Sequence, residues 1–243
     1  MTSILAQSLT RNYGNQVAVD QLSFEINQGT VLGFLGPNGA GKSTTMRMLS
    51  GYLTPSSGTA LINGYDVCLD PTRVHQQMGY LPEGAPLYSD MTVSEFLSFV
   101  AAARGLQGKE RRLAVERVME HLDLKDVTQQ VIGTLSKGFG RRVGLAQAII
   151  HDPPILLLDE PTDGLDPIQK RQVRRLIQEM ASNRIIVIST HILAEVELLC
   201  QRLMMIAGGK LLVDGSPQEV RRRSRYLGAL TLSVDEPQRL ASH

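Results

Sequence analysis

The 243 residues carry 25 Lys and Arg against 24 Asp and Glu, a net charge of +1, so charge alone predicts no strong pull toward nucleic acid or a membrane surface. The length suffices for a full core, as one large domain or one domain with a subdomain. Apolar runs such as 155–158 and 185–188 are far short of the ~20 residues of a membrane span, and the opening Met-Thr-Ser-Ile-Leu-Ala-Gln-Ser lacks the charged start and apolar core of a secretory leader.

Residues 4–9 and 17–26 are predicted as antiparallel strands leading to a third, 31–35. Directly after it comes Gly36-Pro37-Asn38-Gly39-Ala40-Gly41-Lys42-Ser43-Thr44, which fits G-x-x-x-x-G-K-[ST], and then the first turns of a helix. Strand, glycine loop and helix together make a phosphate cradle. The glycines let backbone N–H groups turn inward, the helix N-terminus and Lys42 add positive charge, and Ser43 offers a hydroxyl to Mg2+. The pattern points to a nucleoside triphosphate.

A short strand at 58–62 follows the turn Thr54-Pro55-Ser56-Ser57-Gly58, and a short helix at 73–77 leads to a strand at 78–81 that stops at Pro82. From Thr92 the texture becomes helical. Val93, Phe96, Leu97 and Val100 have helical spacing, and Glu95 lies three after Thr92 as in a capping box. A charged amphipathic helix is predicted at 109–122, with 124–132 continuing in the same style, so 91–135 reads as an all-helical insertion. Leu135-Ser136-Lys137-Gly138-Phe139 precedes a helix predicted at 141–150.

After Pro153-Pro154 come a strand 155–158, a helix 168–181, a strand 184–189 and a helix 193–200. The strands at 31–35, 155–158 and 185–188 are continuously apolar, as in a parallel sheet covered on both faces, which places the chain in the α/β class. Segments 203–207 and 211–213 straddle Gly208-Gly209 as a hairpin. A short basic helix carrying Arg221, Arg222, Arg223 and Arg225 reads as a solvated face, and 227–234 is expected to begin another strand. Cys68 and Cys200 have no metal or redox spacing, and their apolar neighbours predict core thiols in a reducing compartment.

Three further stations carry chemistry. Asp159 and Glu160 end an apolar strand; Asp159 can hold Mg2+ directly or through water, and Glu160 can take a proton from the attacking water or orient it. Thr190-His191 ends a parallel strand, so His191 reaches the same edge, where an imidazole can contact a γ-phosphate and hold water. Ser136 with the backbone amides of Lys137 and Gly138 reads either as an ordinary capped helix start or as a second anion site.

In order and spacing these stations resemble the ATP-binding subunit of ABC transporters over about residues 4–220. Gly36 to Thr44 is similar to Walker A, 155–159 with Glu160 to Walker B, Pro161-Thr162-Asp163-Gly164-Leu165-Asp166 to the D-loop, Thr190-His191 to the switch histidine, and 135–139 to the family signature. Tyr13 matches the aromatic that stacks on adenine, although by itself it reads as a surface or strand residue. Tyr80-Leu81-Pro82-Glu83 and Leu-Ser-Lys-Gly-Phe look most like the ABC-2 exporter branch, including its gliding-motility and drug-resistance types. Three departures stand out. Lys137 and Phe139 replace a Gly and a Gln of the usual signature, Gly140 replaces a polar helix former, and Glu83 occupies the position of the Q-loop glutamine.

The resemblance implies a P-loop NTPase core with an N-terminal antiparallel β-subdomain and an inserted all-helical subdomain. The expected units are 1–90 and 136–220 as the ATP-binding core, 91–135 as the helical subdomain and 221–243 as a tail. It implies ATP and Mg2+ as cofactors: Gly36, Asn38, Gly39, Ala40, Gly41, Lys42, Ser43 and Thr44 holding phosphates, Ser136, Lys137 and Gly138 completing the site of a second subunit, Ser43, Glu83 and Asp159 on the metal, and Lys42, Glu160 and His191 in catalysis. The expected partners are a second ATP-binding subunit, head to tail, and a separate membrane permease whose coupling helix meets Pro86, Leu87, Tyr88 and Met91, unless that loop packs on its own domain. That places the chain in the cytoplasm, against the membrane through its permease, with no nucleic acid expected. A soluble ABC ATPase acting outside transport is the alternative. A P-loop kinase and a nucleotide-binding scaffold without turnover are the more distant readings.

Overall fold

The computed structural model of the chain describes residues 2–223. Its strands in chain order are β1 (Ser3–Tyr13), β2 (Gln16–Asn27), β3 (Val31–Leu35), β4 (Ser57–Ile62), β5 (Tyr65–Asp66), β6 (Met78–Leu81), β7 (Ile155–Asp159), β8 (Ile185–Thr190), β9 (Arg202–Ala207) and β10 (Lys210–Gly215). The helices are α1 (Lys42–Leu49), α2 (Pro71–Gln77), α3 (Val93–Ala103), α4 (Gly108–His121), α5 (Lys137–Ile149), α6 (Pro167–Met180), α7 (Leu193–Leu199) and α8 (Pro217–Arg223).

Two sheets make the frame. The first is antiparallel in the order β2-β1-β4-β5; the second runs β10-β9-β3-β8-β7-β6, parallel except for the β9–β10 hairpin. The apolar runs of the central strands follow from burial on both faces. Ile155 and Leu157 of β7, with Leu32 and Phe34 of β3, pack toward α1 and the antiparallel sheet, where Phe24 meets Phe34 edge to face at 5.5 Å. Leu156 and Leu158, with Ile186 and Ile188 of β8, face the helices on the other side.

Residues 91–135 contain α3 and α4, and α3 starts on the predicted capping box: Thr92 accepts from the Glu95 N–H while Glu95 accepts from the Thr92 N–H. The expected continuation at 124–132 is not a helix. Only single 3-10 turns form, at Lys125–Val127 and Ile132–Thr134. The reason lies in competing partners for the backbone. Ile132 N–H donates to Met91 O, Val93 N–H to Gln130 O and Ser94 N–H to Thr128 O, so the end of the segment is stitched to its beginning. Helix α5 starts at Lys137, four residues before the predicted 141, because Ser136 caps it and Gly138 and Gly140, poor helix formers, are carried inside.

Cys200 is buried, and burial pushes its thiol up to about 12. Cys68, expected in the core, is exposed: it follows β5 in a turn where Asp66 accepts from its N–H, and the turn rather than its apolar neighbours decides its orientation. Arg221 and Arg222 are exposed on α8, as a solvated face requires. The strand expected at 227–234 and Arg225 lie outside the described residues.

Candidate functional site

Register brings the stations together. Leu35, which precedes the glycine loop, pairs with Thr190, which precedes His191; Ser189 pairs with Asp159; Leu158 pairs with Leu81, just before Pro82 and Glu83. Four parallel strands therefore end level, with Gly36, His191, Glu160 and Glu83 along one carboxyl edge. That is where open α/β sheets bind ligands.

The loop from Gly36 to Gly41 is closed by local bonds. Ala40 N–H donates to Pro37 O, and Gly209 N–H from the β9–β10 turn donates to Ala40 O. At Gly36 a Cβ would lie 2.2 Å from Ile206 O; at Gly41, with φ +104°, it would lie 2.6 Å from Ala18 O. No side chain fits either place, and the conformation that results is the one that turns N–H groups inward. Lys42 is buried at the start of α1, its Nζ donating to Gly36 O at 2.7 Å and Pro37 O at 3.1 Å. Pro37, Asn38 and Gly39 are exposed at the loop tip, while Ser43 and Thr44 are half-buried in the first turn of α1. Tyr13 pairs with Gln16 at the end of the β1–β2 hairpin, whose Ala18 carbonyl lies against Gly41. Its ring is about half exposed and backed on one side by the Arg11 guanidinium, 4.8 Å from the centroid.

Asp159 is 1% exposed. Its Oδ1 accepts a hydrogen bond from Ser189, and its Oδ2 has no protein partner. A buried carboxylate oxygen without a donor is a fit for a hard cation, and the Ser43 hydroxyl just after the loop is an oxygen of the kind such a cation takes. Among the described residues no group of three or more His, Cys, Asp or Glu is arranged to hold a metal alone. Mg2+ takes one or two protein oxygens and completes its shell with phosphate and water. Glu83 is exposed, one strand from Asp159 and three from β3, roughly 14 Å across the sheet at the usual strand spacing.

Glu160 has a positive φ of 49°, an unusual conformation for a residue with a side chain, and its Oε1 lies 3.0 Å from His191 Nδ1. A carboxylate only accepts, so Nδ1 carries the proton and Nε2 is left to face outward, accepting when the ring is neutral and donating when it is charged. Arg141, a residue that sequence reasoning passes over, holds this corner. Its guanidinium donates to the carbonyls of Asp159 and Glu160 and, at 3.3 Å, of Pro82. Burial lowers its pKa, and the charges of Asp163, Asp159, Glu160 and Glu83 act against that. The only sequence sign is an arginine one turn into a helix opened by two glycines.

Ser136 caps α5, its Oγ accepting from Phe139 N–H at 3.3 Å; Ser136 and Lys137 are exposed and Gly138 is buried. A Cβ on Gly138 would meet the Gln169 amide at 2.4 Å, so this glycine admits the capping box of α6, in which Asp166 accepts from Gln169 N–H. Helix α5 packs on β6, where Gly144 faces Leu81 and Ala85, at the sheet position farthest from β3 among the four level strands.

Beside this edge, α2, α3 and α5 border a cleft of roughly 800 Å3 lined by Tyr52, His75, Pro86, Leu87, Tyr88 and Phe99 among others. Tyr52, Tyr88 and Phe99 are exposed, and Tyr88 meets Phe96 and Phe99 edge to face. Burial and the charge of Arg104 push His151, also in the wall, down to about 4, so it stays neutral. Of the four residues expected at this surface, Pro86, Leu87 and Tyr88 line the cleft, while Met91 packs against the core, which Leu87 also touches.

Comparison with known proteins agrees with the geometry. The ABC transporter family matches residues 19–163, more than half of the chain. The bacitracin transport ATP-binding protein BcrA of Bacillus licheniformis is 39% identical over 226 residues, covering 92% of this chain and 73% of that protein. The probable multidrug ABC transporter ATP-binding protein YbhF of Escherichia coli (strain K12) is 36% identical over 92% of this chain, which spans only 39% of that relative. A solved ATP binding subunit of an ABC transporter is 29% identical, with a TM-score of 0.84 over 94% of this chain and 95% of the other. The solved cbiO1 of Clostridium perfringens, part of the ABC transporter complex cbiONQ, is 28% identical, with a TM-score of 0.79 over 90% of each chain. The chain belongs to the ABC transporter family, among its ATP-binding proteins.

Proposed function

We propose that the chain hydrolyses ATP as the nucleotide-binding subunit of an ABC-2 type exporter, pairing head to tail with a second ATP-binding subunit, a copy of itself, and driving a separate membrane permease. The observation that carries this is a separation. Lys42 and its loop follow β3, whereas the exposed Ser136 and Lys137 open a helix over β6. Both ends bind anions by their chemistry, and the first-to-last strand spacing keeps them from gripping one nucleotide within a single chain. A second copy, turned around, supplies the missing half to each site.

In this reading Lys42 exchanges the carbonyls of Gly36 and Pro37 for phosphate oxygens, and the N–H groups from Asn38 to Thr44 turn onto the same group. Tyr13 stacks on the base. Ser43 and Asp159, with Glu83 as a third ligand, would hold Mg2+, which would neutralise charge developing on the phosphates. Glu160 accepts the proton of the attacking water or orients it, and His191, fixed by its Nδ1–H bond to Glu160, offers Nε2 toward the γ-phosphate. The units proposed are 1–90 with 136–220 as core, 91–135 as helical arm and 221–243 as tail.

The aromatic cleft beside Pro86, Leu87 and Tyr88 supports a docking partner, here the permease's coupling helix. No helix among the described residues is long and apolar enough to cross a membrane. In this reading the membrane role runs through the permease, and the chain acts at its cytoplasmic face. Mixing subunits tests the composite site. Ser136→Arg and Lys42→Ala each inactivate both sites of their own dimer. Their mixture retains one intact site and regains ATPase activity that neither parent has. Equal inactivity of mixture and parents defeats the shared site.

A further inference from the structure

Glu195 belongs to none of the motif stations, yet it is 4% exposed and collects donors from three of the segments that surround them. Its Oε1 accepts from Thr162 Oγ at 2.7 Å and from Lys170 Nζ at 3.1 Å, with the Arg174 guanidinium at 3.9 Å; its Oε2 accepts from Thr190 Oγ at 3.2 Å. Thr162 lies two residues after Glu160, and Thr190 immediately precedes His191. Thr190 in turn accepts from Ile192 N–H at 3.1 Å, which fixes the chain on the far side of His191. Lys170 and Arg174 lie on α6, whose capping box touches Gly138 of the signature turn.

Burial pushes the Glu195 carboxyl up, but the hydrogen bonds from Thr162 and Lys170, the Lys170 charge and the Thr190 hydroxyl outweigh it, and the group lies below the usual carboxylate range. It is therefore an anion in the folded chain, with two nearby cations and two hydroxyl donors satisfying it. A buried charge so fully partnered has few alternative arrangements, so what it touches is held in register.

We propose that Glu195 is the positioning residue that fixes the spacing of Glu160 and His191, by tying the loop 161–166 that follows one to the strand end that precedes the other. It acts through these two residues and not on the nucleotide itself. Because α6 joins the same knot, displacement of the 161–166 loop or of the signature turn by a second subunit is transmitted to Glu160 and His191 together. The inference rests on the reading of Glu160 as the residue that handles the attacking water.

The test compares full-length wild type with Glu195→Ala, and with Thr162→Val and Thr190→Val, which keep side-chain size and remove the hydroxyls, at Thr190 together with the acceptor for Ile192 N–H. Thr162→Ser and Thr190→Ser serve as rescue, and Glu160→Gln as the reference for lost chemistry. Readouts are kcat and KM for ATP, affinity for a fluorescent ATP analogue, and the melting temperature. Misplacing a reacting group by about 1 Å costs up to roughly 100-fold in rate, so the expected kcat falls ten- to 100-fold in Glu195→Ala and in the double Val variant. KM and nucleotide affinity are expected to stay within about threefold, and the Ser variants to recover. If Glu195→Ala does not fold, the Val and Ser pairs decide alone. Full kcat per folded molecule in the Val variants, beside an inactive Glu160→Gln, overturns the role of Glu195 and leaves the ATPase reading intact. Full turnover in Glu160→Gln, or a wild type without ATPase activity, overturns that reading and this inference with it.

Discussion

The two helix starts proposed as anion sites differ in almost every respect but chemistry. At α1, Lys42 is buried, the preceding loop is closed by its own backbone bonds, and the distant β9–β10 turn buttresses it through Gly209 and Ala40. At α5, Ser136 and Lys137 are exposed, and the cap is a single side-chain bond. The first start is complete within the subunit. Under the proposed function, a site divided in this way would make nucleotide binding a property of one chain and turnover a property of two, and ATP would act as a switch for association.

The sharpest test of this contrast is binding to the isolated chain. Lys42→Ala removes charge-assisted bonds to phosphate together worth about 3 kcal/mol, so ATP affinity is expected to fall about 100-fold by titration calorimetry. Ser136→Arg is expected to leave that affinity within about twofold while removing most turnover. Equal losses of affinity in both variants would place the two starts around one nucleotide in one chain, and the contrast would collapse.

A smaller effect is expected from Arg141, which ties α5 to the carboxyl edge by bonding the carbonyls of Pro82, Asp159 and Glu160. Arg141→Leu strands these buried acceptors, and a loss of about 2–3 kcal/mol should appear in chemical denaturation. A loss near zero would mean that the corner is held by its strands alone. The smallest effect concerns the start of α5. A Cβ on Gly140 would meet only Leu87 Cδ1, at an ordinary 3.8 Å. Gly140→Ala should therefore stabilise the chain by up to ~1 kcal/mol, read as a higher denaturation midpoint. Destabilisation instead would assign this glycine a conformational role at the signature turn.

What is legible in the sequence is what chemistry forces to be local. Gly36 to Thr44 carries its geometry in consecutive residues, and the strand before it and helix after it can be read from apolar spacing. Thr92 and Glu95 announce their cap in the same way. Glu195 and Arg141 escape because their partners are distant. Thr162 lies 33 residues from Glu195 and Pro82 lies 59 from Arg141, so only the folded sheet reveals which carboxylate or guanidinium has been enclosed. The false helix at 124–132 has the same origin: Met91, Thr128 and Gln130 carry amide partners across the insertion that no window along the chain can see. Cys68 departs from its expected core position because apolar neighbours do not fix orientation inside a turn.

The stitching of 91–94 to 128–132 gives the segment between them one narrow neck. Its helices are not cut off from the rest: Phe96, Leu97, Val118 and Met119 lie in one core with Leu156 and Leu158 of β7 and Ile186 and Ile188 of β8. A push on that lobe from outside therefore arrives at the strands whose ends bear Asp159 and His191.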